Sequence, residues 1–159
     1  MLLFVCTLAA FLGVSSGEVQ NDGATVAFSA GFTGNRQFQS NELLIFNKVL
    51  INYGGGYSSI TGIFTAPRAG VYLFLVHALT IKNSSFWLYL YHNNDCVITA
   101  FARENTQFDT TGNSAILPLK KNDKVYIKVD GTSLFIGEGN GVYTTLSGYR
   151  IGPLREESQ

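Results

Sequence analysis

The chain is poor in charge, and its 11 basic and 11 acidic side chains cancel to no net charge. A nucleic-acid binder needs a surplus of lysine and arginine to displace counterions from a polyanion, so that class is excluded. The densest basic set, Lys120, Lys121, Lys124 and Lys128, is interleaved with Asp123 and Asp130 and reads as a solvated hairpin. Histidine and cysteine are scarce, at two each, which leaves little material for a metal or nucleophile site. No His-Glu-x-x-His or Cys-x-x-Cys spacing occurs, and no nucleophile motif surrounds a serine. An enzyme is therefore not expected. His77 and His92 both fall in apolar strands, and His77 is read as a hydrogen-bonded core residue rather than a base. Gly54-Gly55-Gly56 lacks the Lys-Ser or helix that a phosphate loop needs and reads as a turn.

Long apolar runs are missing except at the start. Leu2 to Val14 carries no charge, and Ser15-Ser16-Gly17 supplies small residues before the polar Glu18-Val19-Gln20. The run is short for a membrane span and reads as a cleaved secretory signal over residues 1–17, although no Lys or Arg precedes it. The mature chain would have no membrane span. After a short lead over residues 18–23, residues 24–152 form one domain, and residues 153–159 a polar tail. That length buries a core without staples. Cys6 would leave with the signal, so Cys96 has no intrachain partner. It is read as a buried small hydrophobe in Cys96-Val97-Ile98, with an intermolecular link as the alternative.

Aromatic residues and turn formers are abundant instead. No segment after the signal holds a helical period; short β-rich runs bounded by Gly, Asn, Asp and Ser recur. Strands are expected at Thr25–Ala30, within Glu42–Asn52, and at Ser59–Phe64, Val71–Ile81 and Phe86–Tyr91. Further ones are expected at Asp95–Ala102, Asn113–Leu119, Lys124–Val129, briefly at Leu134–Ile136, and at Val142–Ile151. Arg36–Asn41 and Arg103–Gly112 read as polar loops, and Asp130-Gly131 as a turn. About ten strands with a glycine-rich rim imply an all-β, two-sheet antiparallel jelly-roll sandwich. Val71–Ile81 and Phe86–Tyr91 are apolar on both faces, whereas a sandwich strand normally turns one face to water. With no helices to cover them, the economical cover is another copy of the chain, so an oligomer is expected.

One stretch carries a more specific pattern. Phe46, Asn52, Tyr57, Phe64, Gly70, Tyr72 and Phe74 stand at spacings that resemble the signature of the globular-head domain of complement component C-one-q, a relative of tumour necrosis factor. Val76 stands where the family has an aromatic, and Leu146 where phenylalanine is commoner. Ala27-Phe28-Ser29-Ala30 and Leu146-Ser147-Gly148-Tyr149-Arg150-Ile151 are similar to the family's first and last strands. The resemblance implies a homotrimer or mixed trimer. With neither a Gly-x-y repeat nor a heptad run in residues 18–23, it implies a stalkless, head-only form. Such forms are similar to secreted recognition proteins of innate immunity that bind carbohydrate or microbial surfaces. The rival implied roles are an extracellular-matrix or shell-matrix trimer and a cytokine-like ligand of a cell-surface receptor.

Ligand binding is expected on loops held by the scaffold. A glycan site asks for planar polar groups beside an aromatic face. Arg103, Glu104, Asn105 and Gln107 on one loop, and Glu138, Asn140 and Tyr143 on another, are the candidates. Asn83-Ser84-Ser85 is a glycosylation acceptor at Asn83. Calcium would need several converging oxygens; Asn93, Asn94, Asp95, Asp109, Asp123, Asp130 and Glu138 supply acidic or amide groups, but on separate turns, and read as solvated turn residues.

Overall fold

Short alternating runs make strands, and in the computed structural model every regular element among the described residues is one. The structure describes residues 25–81, 85–103, 108–135 and 141–154. In chain order the strands are β1 (Ala27–Phe32), β2 (Arg36–Phe38), β3 (Glu42–Leu43), β4 (Lys48–Tyr53), β5 (Tyr57–Ser58) and β6 (Ile63–Thr65). They continue with β7 (Gly70–Ile81), β8 (Ser85–His92), β9 (Asp95–Arg103), β10 (Phe108–Leu119), β11 (Lys124–Phe135) and β12 (Thr144–Gly152). Among the described residues the expected ten or so thus become twelve segments, because β2, β3 and β5 are only two or three residues long.

Two antiparallel sheets result. The first runs β4-β1-β12-β7-β10, and the second β5-β6-β11-β8-β9. β11 passes between them: its first part pairs with β6, β3 and β8, and its last residues pair with β2. Period-two alternation then places the core between the sheets. Tyr72, Phe74, Val76 and Ala78 of β7 point in from the first sheet, and Phe86, Leu88 and Leu90 of β8 from the second. Val125, Ile127 and Val129 of β11 fill the same layer. Each large side chain buried there contributes about 1.5–3 kcal/mol.

The spaced signature residues share one packing unit. Phe64 sits among Phe28, Tyr72 and Phe74 at ring-centroid distances of 5.0, 5.6 and 5.6 Å. Asn52 clamps the Tyr57 backbone: its amide donates to the Tyr57 carbonyl (2.8 Å), and its oxygen accepts the Tyr57 N–H (3.1 Å). The Tyr57 hydroxyl, in turn, donates to the Phe46 carbonyl and accepts the Phe46 N–H, both at 3.0 Å. Gly70 is required because a Cβ there would strike Arg150 and the Gly152 carbonyl. The Tyr72 hydroxyl donates to the Arg68 carbonyl at 2.7 Å and ties the strand to the preceding turn. Burial, offset in part by the hydrogen bond to Phe46, pushes the Tyr57 phenol up to about 12. Tyr57→Phe leaves both Phe46 backbone groups buried without their partner and should cost about 1–3 kcal/mol. Urea unfolding at fixed protein concentration would measure it; a loss under a few tenths would show that water replaces the hydroxyl.

Several sequence expectations need correction. Arg36–Asn41 is not all loop, since Arg36–Phe38 pairs with Ser133–Phe135. Arg103–Gly112 is not all loop either. β10 begins at Phe108, because β7 offers it an unbroken partner from Ile81 to Gly70. β11 runs straight through Asp130-Gly131, which pair with Trp87 and Phe86, so the cross-strand ladder overrides the local turn preference. Cys96 is exposed rather than buried. A bulge in the β8–β9 pairing skips Val97 and sets Cys96 opposite Tyr91, which reverses the face that simple alternation assigns. His77 is exposed on the outer face of the first sheet, not in the core. His92 is half-buried and hydrogen-bonded to Asp123.

Candidate functional site

Each sheet has an outer face, and each carries apolar side chains. On the first sheet, strand register lines up Tyr53, Ala27, Tyr149, Leu73 and Ile116 as one row across all five strands. Tyr53, Tyr149 and Ile116 are 59%, 49% and 62% exposed, far more than rings and isoleucine in a finished core. The next row is Ile51, Ser29, Ser147, Leu75 and Ser114, in which small residues flank Leu75. The serines are not idle, since Ser147 donates to Ser29 at 2.9 Å. Farther along, His77 faces Gly112, where a Cβ would come within 2.7 Å of the imidazole. A hollow of about 620 Å³ opens there, lined by Leu75, His77, Thr110, Asn113 and Tyr143 among others.

The outer face of the second sheet is aromatic. Register across β9, β8 and β11 builds three rows: Phe101, Trp87 and Asp130; Thr99, Tyr89 and Lys128; Cys96, Tyr91 and Tyr126. Trp87 meets Phe101 at 4.2 Å and lies nearly parallel to Tyr89 at 6.5 Å. Tyr91 stacks on Tyr126 at 5.4 Å, and the Lys128 ammonium lies 5.1 Å from the Tyr91 ring. Trp87 and Phe101 remain 42% and 43% exposed. Lys128 also donates to Asn41 at 2.9 Å. Burial first, then Asp130, Cys96 and Tyr91, raise the Tyr89 phenol above the usual tyrosine value; burial and then Tyr91 do the same for Tyr126. Both stay neutral hydroxyls at physiological pH.

The loop candidates fare differently. Arg103 ends β9 at the edge of the second sheet, where its backbone N–H donates to Asp109 at 3.3 Å. Tyr143 leads into β12 beside the His77 hollow, over the other sheet, so the structure does not bring these two together. Glu104, Asn105, Gln107, Glu138, Asn140 and the acceptor Asn83 lie outside the described residues. The two-sided apolar pattern of Phe86–Tyr91 is expected from the sequence to serve self-association; strand register shows that its outward side chains form part of the aromatic rows of the second sheet.

Among the acidic turn residues, Asp123 is an internal clamp. Its carboxylate accepts from Asn93 (3.1 Å) and from the Lys120 N–H (2.8 Å), and bonds His92 at 2.9 Å. Asn93 completes the clamp by accepting the Lys124 N–H at 2.9 Å. Among the described residues no three His, Cys, Asp or Glu side chains gather. Burial pushes the Asp123 carboxyl up, but the hydrogen bonds from Asn93, His92 and Lys120, with the His92 charge, outweigh it and hold it below the ordinary 3.8. A depressed folded-state value means the carboxylate stabilises the fold fully above pH 3.8 and loses that contribution as pH falls through the lower value. Asp123→Asn should therefore melt below the wild type at neutral pH, and the gap should close in acid. A gap that is constant with pH, followed by thermal unfolding, would contradict this.

Comparison with known proteins bears directly on this geometry. The family model for the C1q domain matches residues 27–151. The chain belongs to the C1q domain family. Among solved structures it is similar to the globular domain of the zebrafish complement 1qA protein, with 23% identity and a TM-score of 0.67, over 81% of this chain and 99% of that one. It is also similar to the Eiger tumour necrosis factor of S. frugiperda (14% identity, TM-score 0.64, covering 86% and 99%). Murine APRIL is a further match (10% identity, TM-score 0.61, covering 81% and 100%). At these identities the structures speak for the fold, which is the C1q and tumour necrosis factor jelly roll. In this C1q domain the signature residues read from the sequence are the packing unit around Phe64.

Proposed function

We propose that this C1q-domain chain acts as a secreted, trimeric, non-enzymatic recognition protein of innate immunity that binds carbohydrate or other microbial surface ligands. The observation that carries the reading is the open apolar face of the first sheet. A row such as Tyr53, Tyr149, Leu73 and Ile116 is costly to leave in water, and a ring of identical chains covers it symmetrically. Small residues beside Leu75 let a neighbouring chain approach closely. Three copies then present three ligand sites at fixed spacing, which raises avidity for repetitive surfaces without any new contact. The signal-like run at residues 2–14 supports export.

A glycan array probed with the purified, assembled protein tests the reading. Binding to one or more microbial oligosaccharides is the expected result. A blank array from intact trimers would overturn it, and saturable binding to cells in that case would favour the cytokine-like reading, which the tumour necrosis factor fold also fits.

A further inference from the structure

We infer that the carbohydrate lies along the aromatic outer face of the second sheet, on Trp87, Tyr89 and Tyr91, rather than on the loops; this rests on the recognition reading above. A jelly roll needs only one of its outer faces for assembly. The first sheet offers a face of aliphatic side chains, tyrosines and small residues across five strands, suited to close packing of copies. The second offers something chemically different. Its rings are flanked by hydroxyl and charged groups: Thr99, Lys128 and Asp130 stand in the same rows as the rings. Beside Tyr89 and Tyr91 a concavity of about 310 Å³ adds Ser40 and Asn41 to Lys128 and Asp130.

A sugar ring has an apolar face of C–H bonds and a girdle of hydroxyls. It therefore asks for an aromatic surface with hydrogen-bonding groups at its margin, which few other ligands need together. Lys128 and Asp130 contribute one charge of each sign, so the patch complements a neutral oligosaccharide better than an anionic one. The aromatic positions alternate along one strand, and from Trp87 to Tyr91 they span about 13 Å, long enough for more than one sugar. Tyr89 and Tyr126 keep their phenolic protons at physiological pH, although the Tyr126 hydroxyl is already committed to the Asn93 carbonyl at 2.7 Å.

Trp87 is the chain's one tryptophan, so its emission reports on this face directly. The full chain is titrated with chitotetraose, laminaritetraose and mannotetraose while that emission is followed. A saturable change with at least one of them is expected, together with about tenfold weaker binding in Tyr89→Ala or Lys128→Ala. Both replaced side chains are partly exposed, so the variants should fold, and their mass and circular dichroism check this. Array binding with a silent Trp87 and neutral Tyr89→Ala would overturn the site while leaving the recognition reading intact. Loss of binding in Arg103→Ala with Tyr89→Ala unaffected would return the site to the loops. A blank array would overturn site and reading together.

Discussion

Phe64→Ala is expected to remove about 3–5 kcal/mol from a fold whose whole stability is of the order of 5–15 kcal/mol. Phe64 is 1% exposed and touches three other rings, two from the first sheet's interior strand β7 and one from β1. Truncation leaves a cavity at the junction of both sheets. Tightly packed neighbours such as Phe28, itself stacked on Tyr57 at 4.9 Å, have little freedom to refill it. Urea unfolding should show a large drop in midpoint, compared at equal chain concentration because assembly adds to apparent stability. A drop below 1 kcal/mol would mean that the spaced aromatics do not share one core.

The second large effect concerns assembly. Leu75→Arg should convert three-chain particles into single chains at the same concentration, with the β-sheet circular dichroism spectrum unchanged. In one chain Leu75 is partly exposed on the outer face, so an arginine there still reaches water. Between copies it would be an unpaired charge in a closed apolar interface, a cost of several kcal/mol per chain. Tyr89→Ala, on the other sheet, should leave the mass unchanged. Unchanged mass in Leu75→Arg would move the assembly surface elsewhere.

Much of this molecule is legible in the chain. Spacing from Phe46 to Phe74 resembles the C1q signature, and each of its positions answers a distinct physical demand: Asn52 clamps a backbone, Tyr57 pairs buried groups, Gly70 admits Arg150. The long strands are legible from alternation. What alternation misses is decided by partners. Asp109-Thr110-Thr111 has loop chemistry yet forms strand because β7 is long enough to pair with it. Cys96 turns outward because of a bulge that no local pattern announces. The same holds for the site. Two-sided apolarity in Val71–Ile81 and Phe86–Tyr91 is visible in the sequence, but their outer faces belong to different sheets. Only the strand order separates a face of aliphatic side chains, tyrosines and small residues from a face of stacked aromatic rings. Of the loop candidates, Arg103 and Tyr143 prove to stand over different sheets, which sequence distance alone does not reveal.

The central claim is that the first sheet's apolar face holds three chains together and leaves the second sheet open. Light scattering on the wild-type protein across a dilution series tests it most directly. The account requires a particle of three times the chain mass. A well-behaved single chain at every concentration, with Tyr53, Tyr149 and Ile116 in water, would contradict it.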